Sequence, residues 1–170
     1  MSTTKLIHDG RAVENSWTET AEDQALPTHG RLVVSLERWR RERATLTEAS
    51  FVVGVRLANT LDLTKVWPEI ADRPLLVLEF PKSGDGRAYS QARLLRERYG
   101  YTGELRASGD VLRDQLQFMQ RCGFNAYELR ADQDLAECLA AFSDFPMAYQ
   151  RATDAIPNVW EQRRRRKHAA

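Results

Sequence analysis

The sequence predicts a single α/β domain on a mainly parallel sheet of about five strands, open or curved like half a barrel. Three observations carry this. The apolar run Leu75–Phe80 is continuous rather than alternating, as in a strand covered on both faces. Apolar runs and amphipathic segments then alternate along the chain, the order of strand–helix units. Successive runs end in polar loops, residues 81–87 and 108–110, placed as the strand-to-helix turns of such a sheet. Crossovers of this kind are right-handed and make parallel neighbours, and about five βα repeats are too few to close an eight-stranded barrel.

A chain of 170 residues suffices for one hydrophobic core and is short for two. Its 42% hydrophobic and 29% charged content is that of a globular protein. A net charge of +1 argues against nucleic acid or a membrane surface as partner. No apolar run approaches the roughly 20 residues that cross a bilayer, and the first thirty residues lack a secretory pattern. Cys122 and Cys138 make no disulfide framework, which suits a reducing cytoplasm.

In chain order, residues 1–30 read as an irregular N-terminal arm or hairpin. Lys5, Leu6 and Ile7 followed by Asp9-Gly10 favour a short hairpin, because Asp-Gly supplies the positive φ of the turn. The remainder of the arm is polar, a candidate contact to the domain or to a second copy in a homo-oligomer. Residues 31–150 form the α/β domain. Residues 32–36 are strand-like and residues 37–43 are charged and helix-prone, with Trp39 turned to the core or a partner. Phe51–Leu57 is a buried-strand candidate. Asp62 caps the helix LTKVWPEI, which Pro68 keeps short.

Beyond the central run, Ala88, Ala92, Leu95 and Tyr99 make one apolar stripe, with Arg93, Arg96, Glu97 and Arg98 opposite and Gly100 as the stop. Asp110 is placed to cap the next helix, whose apolar face is Leu112, Leu116 and Met119, widened by Val111, Phe118 and Cys122 and ended by Gly123. A last unit starts at Asp132, turns Leu135, Leu139 and Phe142 inward, and breaks at Pro146. Residues 151–170 form a basic C-terminal tail with Trp160 and the run RRRRK at 163–167. No aromatic residue interleaves that run, so it makes no case for nucleic acid.

In parallel sheets ligands bind beyond the carboxyl ends of the strands. The loop 81–87 places Lys82, Asp85, Gly86 and Arg87 there, with Ser90 just behind. The next loop places Asp110, Arg113, Asp114 and Gln115 beside them, and Arg130 edges the same region. Cations with flexible glycine backbone suit an anion or an acidic partner surface. The same residues also serve as ordinary turn formers and surface ion pairs. Arg113 is the odder choice near a helix start, where acids are favoured.

Several chemistries are excluded. Gly84-Asp85-Gly86 begins neither a dinucleotide fingerprint nor a phosphate loop. Two cysteines are too few to ligate an iron–sulfur cluster alone. The histidines His8, His29 and His168 sit in the termini, which disfavours a histidine–carboxylate metal centre. There is no nucleophile elbow and no cysteine paired with a nearby histidine.

The phrases DGR-x-YS-x-ARLLRERYGY-x-GELRA and GDVLRDQL are long and specific. The segment from about Leu75 to Tyr149 resembles the signature region of the bacterial family called domain of unknown function 934. That resemblance implies a cytoplasmic role in assimilatory sulfite reduction, since members are typically encoded beside the siroheme sulfite reductase subunit. It implies as partners the sulfite reductase hemoprotein subunit or its electron donor, and no established mechanism. Ser83 stands where the family phrase carries a bulkier residue. The chain supplies no ligand set for siroheme or a cluster, so an oxidoreductase would need an organic cofactor such as a flavin. The expected function is an accessory protein docking on the reductase or its electron donor. A cofactor-dependent oxidoreductase and a small-anion enzyme are the alternatives.

Overall fold

Successive residues along a strand face opposite sides of the sheet, and this sorts the molecule into a face covered by the described helices and one closed by the N-terminal arm. The computed structural model describes residues 5–48, 51–144, 152–153, 159–161 and 164. The elements in order are β1 (Leu6–His8), β2 (Arg11–Val13), β3 (Thr18–Glu19), β4 (Gly30–Ser35), α1 (Leu36–Glu48), β5 (Phe51–Leu57) and α2 (Leu63–Ile70). There follow β6 (Leu75–Phe80), α3 (Arg87–Arg93), β7 (Glu104–Gly109), α4 (Leu116–Cys122), β8 (Ala126–Glu128) and α5 (Leu135–Ala141). No described helix is long and apolar enough to cross a membrane.

All eight strands join one open, curled sheet in the order β2-β1-β8-β7-β6-β5-β4-β3. Strands β3 to β8 are parallel, and β1 runs antiparallel to both β2 and β8. The sheet therefore has more strands than the five read from sequence. The additional three come from the N-terminal arm, which is strand at residues 6–8, 11–13 and 18–19 and irregular between them. Asp9 and Gly10 take φ of 47° and 73°, as the tight turn between twisted strands demands. β3 has only two residues, and its register is set by Thr18 facing Leu32 and Glu19 facing Val33. Strands this short carry no period of their own.

Because sequence neighbours are sheet neighbours, each right-handed crossover puts its helix on the same side. Leu32, Val34, Val53, Val55, Leu76, Leu78, Leu105, Ala107 and Tyr127 face that side. They share one core with Trp39 of α1, Ile70 of α2, Ala92 of α3, Met119 of α4 and Cys138 of α5. The other side is closed by the arm, where Trp17 packs on Val33, Leu75 and Val77. That is why every residue of the run 75–78 is buried on both faces, with the arm rather than α1–α5 on the second. Arg31 stacks over Trp17 at 4.4 Å and holds the ring down.

The helix stops and caps follow local chemistry. Asp62 accepts from the Thr64 N–H at 3.0 Å, and Asp134 accepts from the Glu137 N–H at 2.9 Å. The helix from residue 87 holds its stripe through Ala88, Ala92 and Leu95, then widens into a π-helical turn, Leu94–Arg98. The extra residue in that turn corrects the sequence reading of Arg96 as solvent-facing. Its guanidinium turns inward and donates to the carbonyls of Gly123 (2.8 Å), Tyr101 (2.5 Å) and Gly103 (3.0 Å). Asp110 is corrected as well. It caps no helix, because Leu112 is extended and a 3₁₀ turn, Arg113–Gln115, precedes α4.

Gly109 ends β7 with φ of 99°, and a Cβ there would lie 2.5 Å from the Phe80 carbonyl oxygen. A Cβ at Gly84 would meet nothing within 4 Å. Gly109→Ala is expected to lower the unfolding free energy in urea titrations by about 2 kcal/mol or more. Gly84→Ala should stay within about 0.5 kcal/mol of the parent.

Candidate functional site

The sequential strand order brings the loops after β5, β6, β7 and β8 side by side at the carboxyl edge, where parallel sheets bind ligands. One carboxylate sews three of them together. Asp110 Oδ2 accepts the Ser83 backbone N–H at 2.8 Å, and its Oδ1 accepts from Arg130 at 2.6 Å. The Asp110 N–H donates to the Phe80 carbonyl at 2.8 Å. Gln115 adds a second tie, donating from its amide to the Ser83 carbonyl at 3.0 Å. The Ser83 N–H, then Arg130, hold the Asp110 carboxyl below its ordinary range. Arg130 also clamps Asp132 through two bonds of 2.6 and 2.7 Å, which pushes that carboxyl down to about 2.

The remaining residues singled out in the sequence are distributed around this clasp. Arg87 and Asp85 form a bidentate pair at 2.9 and 2.5 Å within their own loop, and the Arg87 N–H adds a bond at 3.3 Å. That guanidinium is the largest cause of a strongly lowered Asp85 carboxyl. Arg113 is turned the other way, to Asp144 at 2.9 Å and the Glu137 carbonyl at 3.2 Å. Its N–H donates to the Gln133 side chain at 3.0 Å. Lys82, Gly86 and Asp114 are exposed on the rim. The two loops are thus brought together, while their arginines serve different acidic partners.

Ser90 lies behind the rim on a second feature, a cavity of about 240 Å³ lined among others by Tyr89, Arg93 and Phe118. The sequence reading placed Phe118 on the widened core face of its helix. Instead it is 55% exposed. It meets the edge of Tyr89 at 4.9 Å, and Tyr89 in turn packs on Phe80 at 5.0 Å. Burial pushes the Tyr89 hydroxyl up to about 12, so it stays protonated. The signal was present in the helical wheel: Phe118 stands two residues, about 200°, from Leu116 on the buried stripe.

Among the described residues no group of three or more His, Cys, Asp or Glu side chains could hold a metal ion. Cys122 and Cys138 are buried on separate helices and form no disulfide with each other. The RRRRK run lies outside the described residues except for Arg164, as does Pro146. A family model described as bacterial protein of unknown function (DUF934) matches residues 54–160. No curated protein and no solved structure matches the chain.

Asp110 supplies a signed pH test. Its folded-state pKa is lowered, so its contribution is complete above the ordinary value of 3.8 and is lost as pH falls through the folded value. Asp110→Asn is expected to be less stable than the parent at neutral pH. In urea midpoints measured down into acid, the gap between the two should close below pH 3.8. A gap independent of pH would mean that the ionised carboxylate does not hold the loops.

Proposed function

The chain belongs to the bacterial family called domain of unknown function 934, and we propose that it is a cytoplasmic accessory protein of assimilatory sulfite reduction. In this reading it docks on the sulfite reductase hemoprotein subunit or on that enzyme's electron donor. The sulfite connection comes from the family resemblance of the segment around residues 75–149. The docking role is favoured by one observation, the exposed Phe118 propped edge-on by Tyr89 beside a shallow cavity and Arg93. An aromatic anchor flanked by arginine is the usual composition of a binding hot spot. The neighbouring rim, with Lys82, Arg87 and Asp114 exposed, supplies mixed charge near the same surface.

The alternative reading, an oxidoreductase with an organic cofactor, needs donors free to receive the cofactor's phosphate. Arg113 is engaged by Asp144 and turned away from the rim, which leaves that use of the rim one arginine fewer. Protein purified from its native host separates the two: visible flavin absorption would favour the enzyme, and its absence leaves docking as the stronger reading.

The docking reading is tested by capture of the purified hemoprotein subunit, and separately of its electron donor, on the immobilised chain. Phe118→Asp, a change at an exposed position, is expected to weaken capture by roughly tenfold or more while leaving the thermal melt in place. Capture of neither protein by the parent chain, or capture unaffected by this change, would contradict it.

A further inference from the structure

The turn after β5 carries a buried side chain with an unused donor. Asn59 is only 5% exposed, and among the described residues no acceptor lies within hydrogen-bond distance of its Nδ2. The turn is fixed in place by Gln91 of α3, whose amide donates to the carbonyls of Ala58 and Leu61, both at 3.1 Å. Asn59 faces Asp85 closely enough to help keep that carboxyl ionised. An oriented donor without a partner, held behind a carboxylate, is costly unless something else accepts from it.

The Asp85 carboxylate itself sits as a bound anion would. It lies flat in the fork of Arg87 and takes the Arg87 N–H besides. Two N–H groups in parallel on two oxygens is the geometry by which guanidinium recognises any oxyanion. The pair is 57% exposed on the arginine side, and exposed ion pairs are weak.

The glycines that flank Asp85 give a third, independent observation. Neither has positive φ, a Cβ at Gly84 would meet nothing, and one at Gly86 would meet only Tyr89 at an ordinary 3.6 Å. The described contacts therefore do not require glycine at either position. Absence of side chains on both sides of Asp85 lets an outside group approach the loop backbone and lets the loop move.

We propose that the Asn59 turn and the loop 82–87 form a site for a small inorganic oxyanion, whose place is held here by the Asp85 carboxylate. Binding moves Asp85 aside, and the incoming oxygens take the Arg87 fork and the unused Asn59 amide. Lys82, exposed on the same loop, adds charge at the entrance. The oxyanion site and the docking face share Lys82 and Arg87 on the rim but rest on different observations, the Asn59 turn and the exposed Phe118, so either can fail alone.

The test uses inorganic sulfate as probe, with calorimetric titration of the full chain at constant ionic strength. Removing the placeholder in Asp85→Ala is expected to tighten sulfate binding at least about tenfold over the parent. Adding formate should compete with sulfate in that variant. The gain should disappear in Asp85→Ala/Arg87→Ala and in Asp85→Ala/Asn59→Ala. Asn59 is buried, so if its variant does not fold, the exposed Arg87 change decides. No tightening in Asp85→Ala, or a gain that survives removal of Arg87, overturns the proposal.

Discussion

A single carboxylate, that of Asp110, gives its two oxygens to two different loops: one to the Ser83 backbone N–H and one to the Arg130 guanidinium. Its own N–H closes on the Phe80 carbonyl at the end of the neighbouring strand. The rim at the carboxyl edge is one piece because of these bonds. Without them the loop 81–87 would keep the Gln115 bond, its internal turn between Lys82 and Asp85 and the Asp85–Arg87 pair, none of which reaches the loop after β8. Both surfaces given functional meaning above hang from this rim. The Asn59–Arg87 cradle lies on one flank of α3, and the Tyr89–Phe118 face lies on the other.

The sheet makes such a clasp attainable. When strands lie in chain order, the loops that follow them are neighbours automatically, and a short side chain can bridge them. One-sided crossovers put α1–α5 on one face of the sheet, and the N-terminal segment covers the other. Trp17 does so with apolar area, and Arg106 with polar contacts. That arginine is 1% exposed, bound to Glu104 at 2.7 Å and to the Asn15 side chain at 3.2 Å. A buried ion pair adds little net stability over an apolar substitute, yet it penalises any register that separates its partners. Here it ties the arm to β7 and keeps Trp17 over Val33 and Leu75.

The parts of this architecture legible in the sequence are those fixed by local rules. The continuous run 75–80, the Asp62 cap, the Asp9-Gly10 hairpin and the stripe Ala88–Ala92–Leu95 each depend on residues a few positions apart. What the sequence hid depends on distant partners or on a change of phase. Arg113 finds Asp144, thirty-one positions on, and Asp110 finds Ser83, twenty-seven positions back. Arg96 is reoriented by a π-helical turn that no periodicity announces. Asp110 has the look of a helix cap, but Val111 and Leu112 run extended before the chain turns. Among the candidate site residues, the sequence located the right edge of the sheet. It did not show which cations were already engaged.

The Ser83 amide reports on the clasp most directly, because among the described residues its hydrogen-bond acceptor is Asp110 Oδ2. Hydrogen–deuterium exchange followed by NMR resolves that one proton. If Asp110 holds the rim together, the Ser83 amide will be protected and will open at the same rate as the Asp110 amide, which is bonded to Phe80. Exchange of Ser83 at the rate of a free loop amide, with Asp110 still protected, would show that the loops move separately and that the rim is not a single body.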